Sequence, residues 1–252
     1  MARGLPGADS SAPVTPELIQ VATNMLGQKP RFWGRYFKSP TATGDVEYRH
    51  KLEDPVLSHA NIKLLPIARQ TAQVAGSKAQ AVADAKLNVA DVLATFPLAH
   101  LVAQGGQFLM FLDVEGIPEE GNPSVSVAYY TGWAQTLTDF SRSQTNNAVT
   151  LLPCVYARQL DNDTWHALVK AHANGVPCHG AWVARFPHVG ACIGRDFDST
   201  RAIPHVQLPF DVLIWQFDEN CHNNVIDLDQ SNPNLDGDAR LLSKLILPPS
   251  GN

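Results

Sequence analysis

The stretch Gln107-Phe-Leu-Met-Phe-Leu-Asp-Val-Glu-Gly116 is an unbroken apolar run that ends in two carboxylates, Asp113 and Glu115. It is short, rich in Phe and Leu, and stops at Gly116 with Pro118 just beyond. That predicts a buried strand, although periodicity by itself leaves a helical segment open. On a strand, residues two apart share a face, so Asp113 and Glu115 would point the same way at its C-terminal end. Two anions held close do not both ionise easily, and one of them can then act as an acid near neutral pH. The plain alternative is a strand end carrying two solvated acids, and this stretch alone weighs the two equally.

Working outward, the flanking segments alternate between strand and helix. Upstream, Leu5 to Ser10 reads as a strand closing on Asp9. Thr15-Pro16-Glu17 opens a helix as N-cap, first-turn proline and first-turn acid, and Gly27 ends it. Strands are expected over Arg31–Phe37 and Ile62–Arg69, the second with an awkward Pro66. Between them Asp54-Pro55 opens a short helical stretch to about Ala60. Ser77 caps an alanine-rich helix to about Phe96, with Ala81, Ala85, Val89, Val92 and Leu93 at helical spacing. Downstream, Asn122-Pro123 opens a helix to about Ser141, and Ala148–Tyr156 is a strand. Asp161 to Thr164 caps a helix stopped at Asn174-Gly175, and Gly180–Phe186 is a sixth strand. Residues 187–210 hold no convincing helix. Val212–Phe217 and Val225–Asp229 are the last strands. Only about seven polar residues join them, too few for a crossover helix, so an antiparallel hairpin is expected. Asp236–Ile246 reads as a terminal helix.

The count is five βα units followed by three strands: an α/β fold closing into an irregular TIM-type barrel. No repeat, low-complexity segment or linker divides the sequence, so one barrel domain over residues 1–252 is expected. With 44% hydrophobic and 17% charged residues the chain can bury a large core. A net charge of −5 without a basic cluster argues against a nucleic-acid partner. No apolar run approaches a membrane span, and Met-Ala-Arg-Gly-Leu-Pro-Gly lacks the apolar core of a signal peptide. Cys154, Cys178, Cys192 and Cys221 show no Cys-x-x-Cys spacing. A Cys178–Cys192 bridge in an oxidising compartment and four unpaired thiols are equally open, and no disulfide is expected to be essential to a core of this size.

In such barrels active sites lie at the C-terminal ends of the strands. The acids expected there are Asp9, Asp113, Glu115 and Asp218. Asp227 and Asp229 join them if the last strand runs antiparallel. Arg35, Tyr36, Arg69, Tyr156, Trp182, Arg185, Trp215 and Gln216 surround them. For each aromatic alone core packing is the better reading, and alternation lets at most one of Trp182 and Arg185 line the pocket. Acids with aromatic platforms suit a sugar polymer cleaved by a carboxylic acid paired with a second carboxylate.

The ordered set Gly7-Ala-Asp9, Gly34-Arg-Tyr36, Asp113-Val-Glu115, Trp215-Gln216 and Ile226-Asp-Leu-Asp229 resembles the family 25 glycoside hydrolases of lysozyme or muramidase type. It is closer still to their glycoside-hydrolase-like relatives with a Gly-Arg-Tyr second strand. The resemblance spans nearly the whole chain in the right order. It implies a barrel of five βα units and three strands that cleaves the β-1,4 bond between peptidoglycan sugars. A monomer without metal or cofactor is expected, secreted or otherwise delivered outside the cytoplasm although no signal peptide is visible. Glu115 would be the general acid. Asp113 and Asp9 would stabilise positive charge at the sugar, directly or through the substrate's acetamido group, and Asp227 matches the family's late aspartate. Arg35, Tyr36, Arg69, Tyr156, Arg185, Gln216 and Asp229 would bind substrate.

Other chemistries fit less well. A metal hydrolase would want His at helical or His-x-His spacing, but His166 and His172 are six apart. His172, His179, His188, His205 and His222 read as loop or surface residues. There is no Gly-x-Ser-x-Gly, no cysteine in a nucleophile setting and no phosphate loop. The competing reading from another class is a barrel that binds cell-wall glycan without cutting it, since the same residues would serve both.

Overall fold

The computed structural model describes residues 3–250 except 43, 45, 118, 119 and 188, so the expectation for His188 lies outside the described residues. Eight strands form a closed barrel in chain order: β1 (Pro6–Ser10), β2 (Phe32–Phe37), β3 (Lys63–Ala68), β4 (Gln107–Val114), β5 (Thr150–Arg158), β6 (Ala181–Ala184), β7 (Val212–Asn220) and β8 (Ile226–Ser231). Neighbours from β1 to β7 pair in parallel. β8 is antiparallel to both β7 and β1, which closes the ring. The element order is the expected five βα units and three strands, and the reversed last strand departs from a regular parallel barrel.

The helices follow from local signals. In α1 (Pro16–Leu26) Thr15 Oγ1 accepts from Leu18 N, and Gly27 takes the left-handed conformation at the end. α3 (Lys78–Thr95) is capped by Ser77 and α6 (Asn162–Ala173) by Asp161, as their sequences indicate. Three expectations need correction. α2 (His50–Ala60) starts before Asp54 and carries Pro55 inside it. A short α4 (Leu98–Ala103) precedes the focal strand. α5 (Val127–Gln144) is capped by Ser126 rather than Asn122, because the Ser126 hydroxyl accepts from Tyr129 N.

Pro66 fits β3 for a local reason. Lys63 and Arg69 donate their backbone N–H to Arg31 and Phe37, so odd positions face β2. The donor that Pro66 lacks would point toward β4, where pairing begins only at Ile67.

Strand alternation divides the core in two. Phe32, Leu65, Leu109, Phe111, Leu152, Cys154, Trp182 and Ile214 fill the barrel, while Trp33, Met110, Val155, Val183 and Trp215 pack outward beneath the helices. The barrel floor is closed by the C-terminal segment. Leu241, Leu242 and Leu245 join the interior cluster, and Leu64 and Ile246 exchange backbone hydrogen bonds. The expected terminal helix is therefore two separate turns, Gly237–Arg240 and Leu242–Lys244, with the chain bent to seat these leucines. No helix among the described residues is long and apolar enough to cross a membrane.

The cysteines pair as Cys192–Cys221, while Cys154 and Cys178 are free and buried. The considered Cys178–Cys192 bridge is thus corrected: Cys178 precedes β6 and its thiol lies against Gly180 O, whereas the β7–β8 turn carries Cys221 to Cys192. The bridge closes a 29-residue separation that includes most of the irregular segment after β6 and all of β7. Constraining a loop of that length is worth about 3 kcal/mol. Cys221→Ser is expected to lower unfolding free energy by that amount in urea titration. A change under about 0.5 kcal/mol would bear out the expectation that no disulfide is essential to the fold.

Candidate active site

β4 runs apolar through the barrel wall and delivers Asp113 and then Glu115 to the rim, both on the inward side. Asp9, Tyr36, Ile67, Asp113, Glu115, Tyr156, Trp182, Gln216 and Asp227 line one narrow pocket of about 30 Å³ there. Asp227 reaches it from the first turn of β8 because that strand runs the other way, and Asp9 and Asp227 are register partners. Gly34 makes the crowding possible: a Cβ there would lie 2.6 Å from the Asp9 Cβ and 3.3 Å from the Trp182 ring. Just past the strand, Gly116 turns with φ +61°, and a side chain would collide with the Asp161 carboxylate beneath it.

A hydrogen-bond web fixes the acids. Tyr156 Oη donates to Gln216 Oε1 (2.7 Å). Gln216 Nε2 donates to Asp9 Oδ2 (2.9 Å) and, at 3.3 Å, to Asp227 Oδ2. Asp227 Oδ1 accepts from Asn220 N (2.8 Å), and Thr71 Oγ1 donates to Asp113 Oδ2 (2.6 Å). One layer below, Asp229 is fully buried, accepts from Trp182 Nε1 (2.9 Å), and lies within hydrogen-bonding reach of Asp9.

Burial dominates the electrostatics. It raises Glu115 to about 8, with the nearby Asp113 adding to the shift and Arg158 opposing it. Asp113 is raised to about 6 by burial, against the Thr71 hydrogen bond and Arg69. Asp227 is raised to about 6 by burial, against the Asn220 N–H. Burial raises Asp9 and Asp229 well above the ordinary aspartate value, with the charges of Asp229 and Asp227 adding to the shift of Asp9 and that of Asp227 to the shift of Asp229. Between about pH 6 and 8 the rim therefore carries a protonated Glu115 beside ionised Asp113 and Asp227.

Several sequence-derived candidates lie elsewhere. Arg35 follows Gly34 and precedes Tyr36, so alternation turns it out of the barrel. Its guanidinium is fully buried against Glu53 (Nε–Oε2 2.8 Å) and also donates to Ser10 O and Glu47 O. Arg185 falls on the face opposite Trp182, does not line the pocket, and supplies its carbonyl to Trp215 Nε1. Asp229 lies under the pocket, too deep to touch a ligand in it. Asp218 faces away, accepting from Gly190 N (2.8 Å) and Cys192 N (2.6 Å), and so anchors the loop that carries the disulfide. Its cluster with Cys192 and Cys221 offers no metal site, because both sulfurs are in the bridge. Arg69 stays at the rim, paired with Glu47 Oε1 at 2.8 Å. His172 sits in the last turn of α6, half-buried, rather than in a loop.

Two residues were missed. Arg158 ends β5 two residues after Tyr156, so the same alternation that picked Tyr156 could have found it. Thr71 follows Arg69 in a single turn, and nothing in its sequence context marks it.

Fold and site together define a closed α/β barrel with a cluster of carboxylates at one rim. No protein-family model matches the chain, and no curated protein does. Among solved structures, an uncharacterized protein of B. stearothermophilus shares the fold. It has a TM-score of 0.70 and 23% identity, over 96% of this chain and 100% of that one. The catalytic domain of an endolysin from bacteriophage P40 of Listeria monocytogenes aligns over 93% of this chain and 96% of its own. Its TM-score is 0.44 and its identity 15%.

Proposed function

We propose that this protein is a glycoside hydrolase of the family 25 type that cleaves β-1,4 bonds in peptidoglycan or a related amino-sugar polymer. The observation that carries the reading is Glu115, a carboxyl group raised to about 8 at the rim, with Asp113 two residues away on the same face. A group protonated at neutral pH can give its proton to a glycosidic oxygen as the bond breaks. The ionised Asp113 stabilises the positive charge that develops at the sugar, directly or by orienting the substrate's acetamido group. Asp9, Gln216 and Asp227 form the hydrogen-bonded floor on which the sugar rests, with Tyr36, Tyr156 and Trp182 as its aromatic walls. Action outside the cytoplasm belongs to the same proposal and is consistent with the Cys192–Cys221 bridge.

The test is release of reducing ends from purified peptidoglycan. Binding without release at any pH would replace the hydrolase with a glycan-binding barrel. The pH profile adds a second check. Activity is expected to rise through about pH 6 as Asp113 and Asp227 ionise, and to fall through about pH 8 as Glu115 loses its proton. A profile that keeps rising above pH 9 would be incompatible with Glu115 as the acid.

A further inference from the structure

Arg158 is the unspent cation of this site. It ends β5, its Nε is buried without a hydrogen-bond partner, and its guanidinium hydrogen-bonds to no described residue. Its one ion partner among the described residues is Glu115, at 3.9 Å, beyond hydrogen-bond range. Phe186 lies 6.0 Å beneath the guanidinium and supports it. The side chain is still 38% exposed, so donors at its tip remain accessible to solvent beside Glu115. An arginine held against an aromatic ring, with donors unused, presents a planar fork suited to a carboxylate. At neutral pH Glu115 is protonated, so it neither occupies that fork nor repels an incoming anion. Glu219, the other acid whose field Arg158 feels, makes no hydrogen bond to it either.

We infer that Arg158 is a specificity-determining residue that binds a carboxylate on a sugar next to the glycosidic bond whose oxygen Glu115 protonates. The substrate class is therefore an acidic amino-sugar polymer: a muramic acid glycan with its lactyl carboxylate free of peptide, or a uronic acid glycan. This rests on the hydrolase reading for the place of the scissile bond, but the recognition itself is a matter of binding.

The test uses the full chain in the Glu115→Gln background, so that binding is read whether or not the protein hydrolyses anything. Isothermal titration compares peptide-free peptidoglycan strands, the same strands with their carboxylates reduced to alcohols, and an alternating glucuronate–N-acetylglucosamine oligosaccharide. The acidic strands are expected to bind about 10- to 100-fold more tightly than the reduced ones. Adding Arg158→Gln should erase that ratio while leaving affinity for the reduced strands within about 3-fold. Arg158→Lys should keep part of it. Tighter binding of the uronate oligosaccharide than of the acidic strands would assign the carboxylate to a uronic acid. Equal binding of acidic and reduced strands, no binding of any acidic glycan, or an equal loss on both strands in Arg158→Gln would each overturn the inference. Wild-type protein that shows the preference but releases no reducing ends would sink the hydrolase reading and leave this one standing.

Discussion

Glu115→Gln is expected to lower kcat on peptidoglycan by about two to four orders of magnitude, the usual loss when a positioned general acid is removed. The amide keeps the shape of the side chain and has no acidic proton to give. Glycan affinity should survive, since Asp9, Tyr36, Tyr156 and Gln216 are untouched. Stability should rise. In the folded protein the carboxyl is raised from 4.5 to about 8, so between those values the folded state binds more protons than the unfolded chain. Stability therefore falls as pH rises through that window, and the cost is fully present above pH 8. Glu115→Gln removes it, so Tm should exceed wild type by a few degrees at pH 9 and match it near pH 4. Activity equal to wild type would mean that another group donates the proton. An unchanged Tm at pH 9 would mean that Glu115 is better solvated than its surroundings indicate.

The second large effect is structural. Arg35→Ala is expected to destabilise the fold by about 3–5 kcal/mol, because it strands the Glu53 carboxylate in a dry interior. Glu53 is fully buried and receives both nitrogens of a two-point contact from Arg35, together with Val14 N (2.9 Å) and Arg49 N (2.7 Å). The pair ties β2 to the start of α2 and, through Ser10 O, to the end of β1 beside Asp9. Urea denaturation reads the loss, while glycan affinity measured on the folded fraction should stay near wild type. A mutant with wild-type stability and weakened glycan binding would put Arg35 back in the substrate site.

Arg35 also shows where sequence reading stops. Periodicity, caps and turns are local, and they were enough to recover the strand–helix alternation, the antiparallel final hairpin and most helix ends. They were also enough to put Asp113 and Glu115 on one face at a strand end. Alternation contained the outward turn of Arg35 too, for adjacent residues on a strand cannot both face inward. The strand-end reading and the Gly-Arg-Tyr resemblance both set the two residues in the site, and only packing against α2 shows where the guanidinium goes. Other features have no local signal at all. Cys192 meets Cys221 because the β7–β8 turn folds back over the loop after β6. Thr71 meets Asp113 because two strand ends converge. Arg158 comes beside Glu115 because β4 and β5 pair in parallel and end at the same rim. The sequence by itself determined the order of strands and helices and which acids could share a rim. The tertiary structure decided which of those acids meet, how far burial raises their proton affinity, and which cation stands beside Glu115, because each depends on solvent exclusion and on groups far apart in the chain.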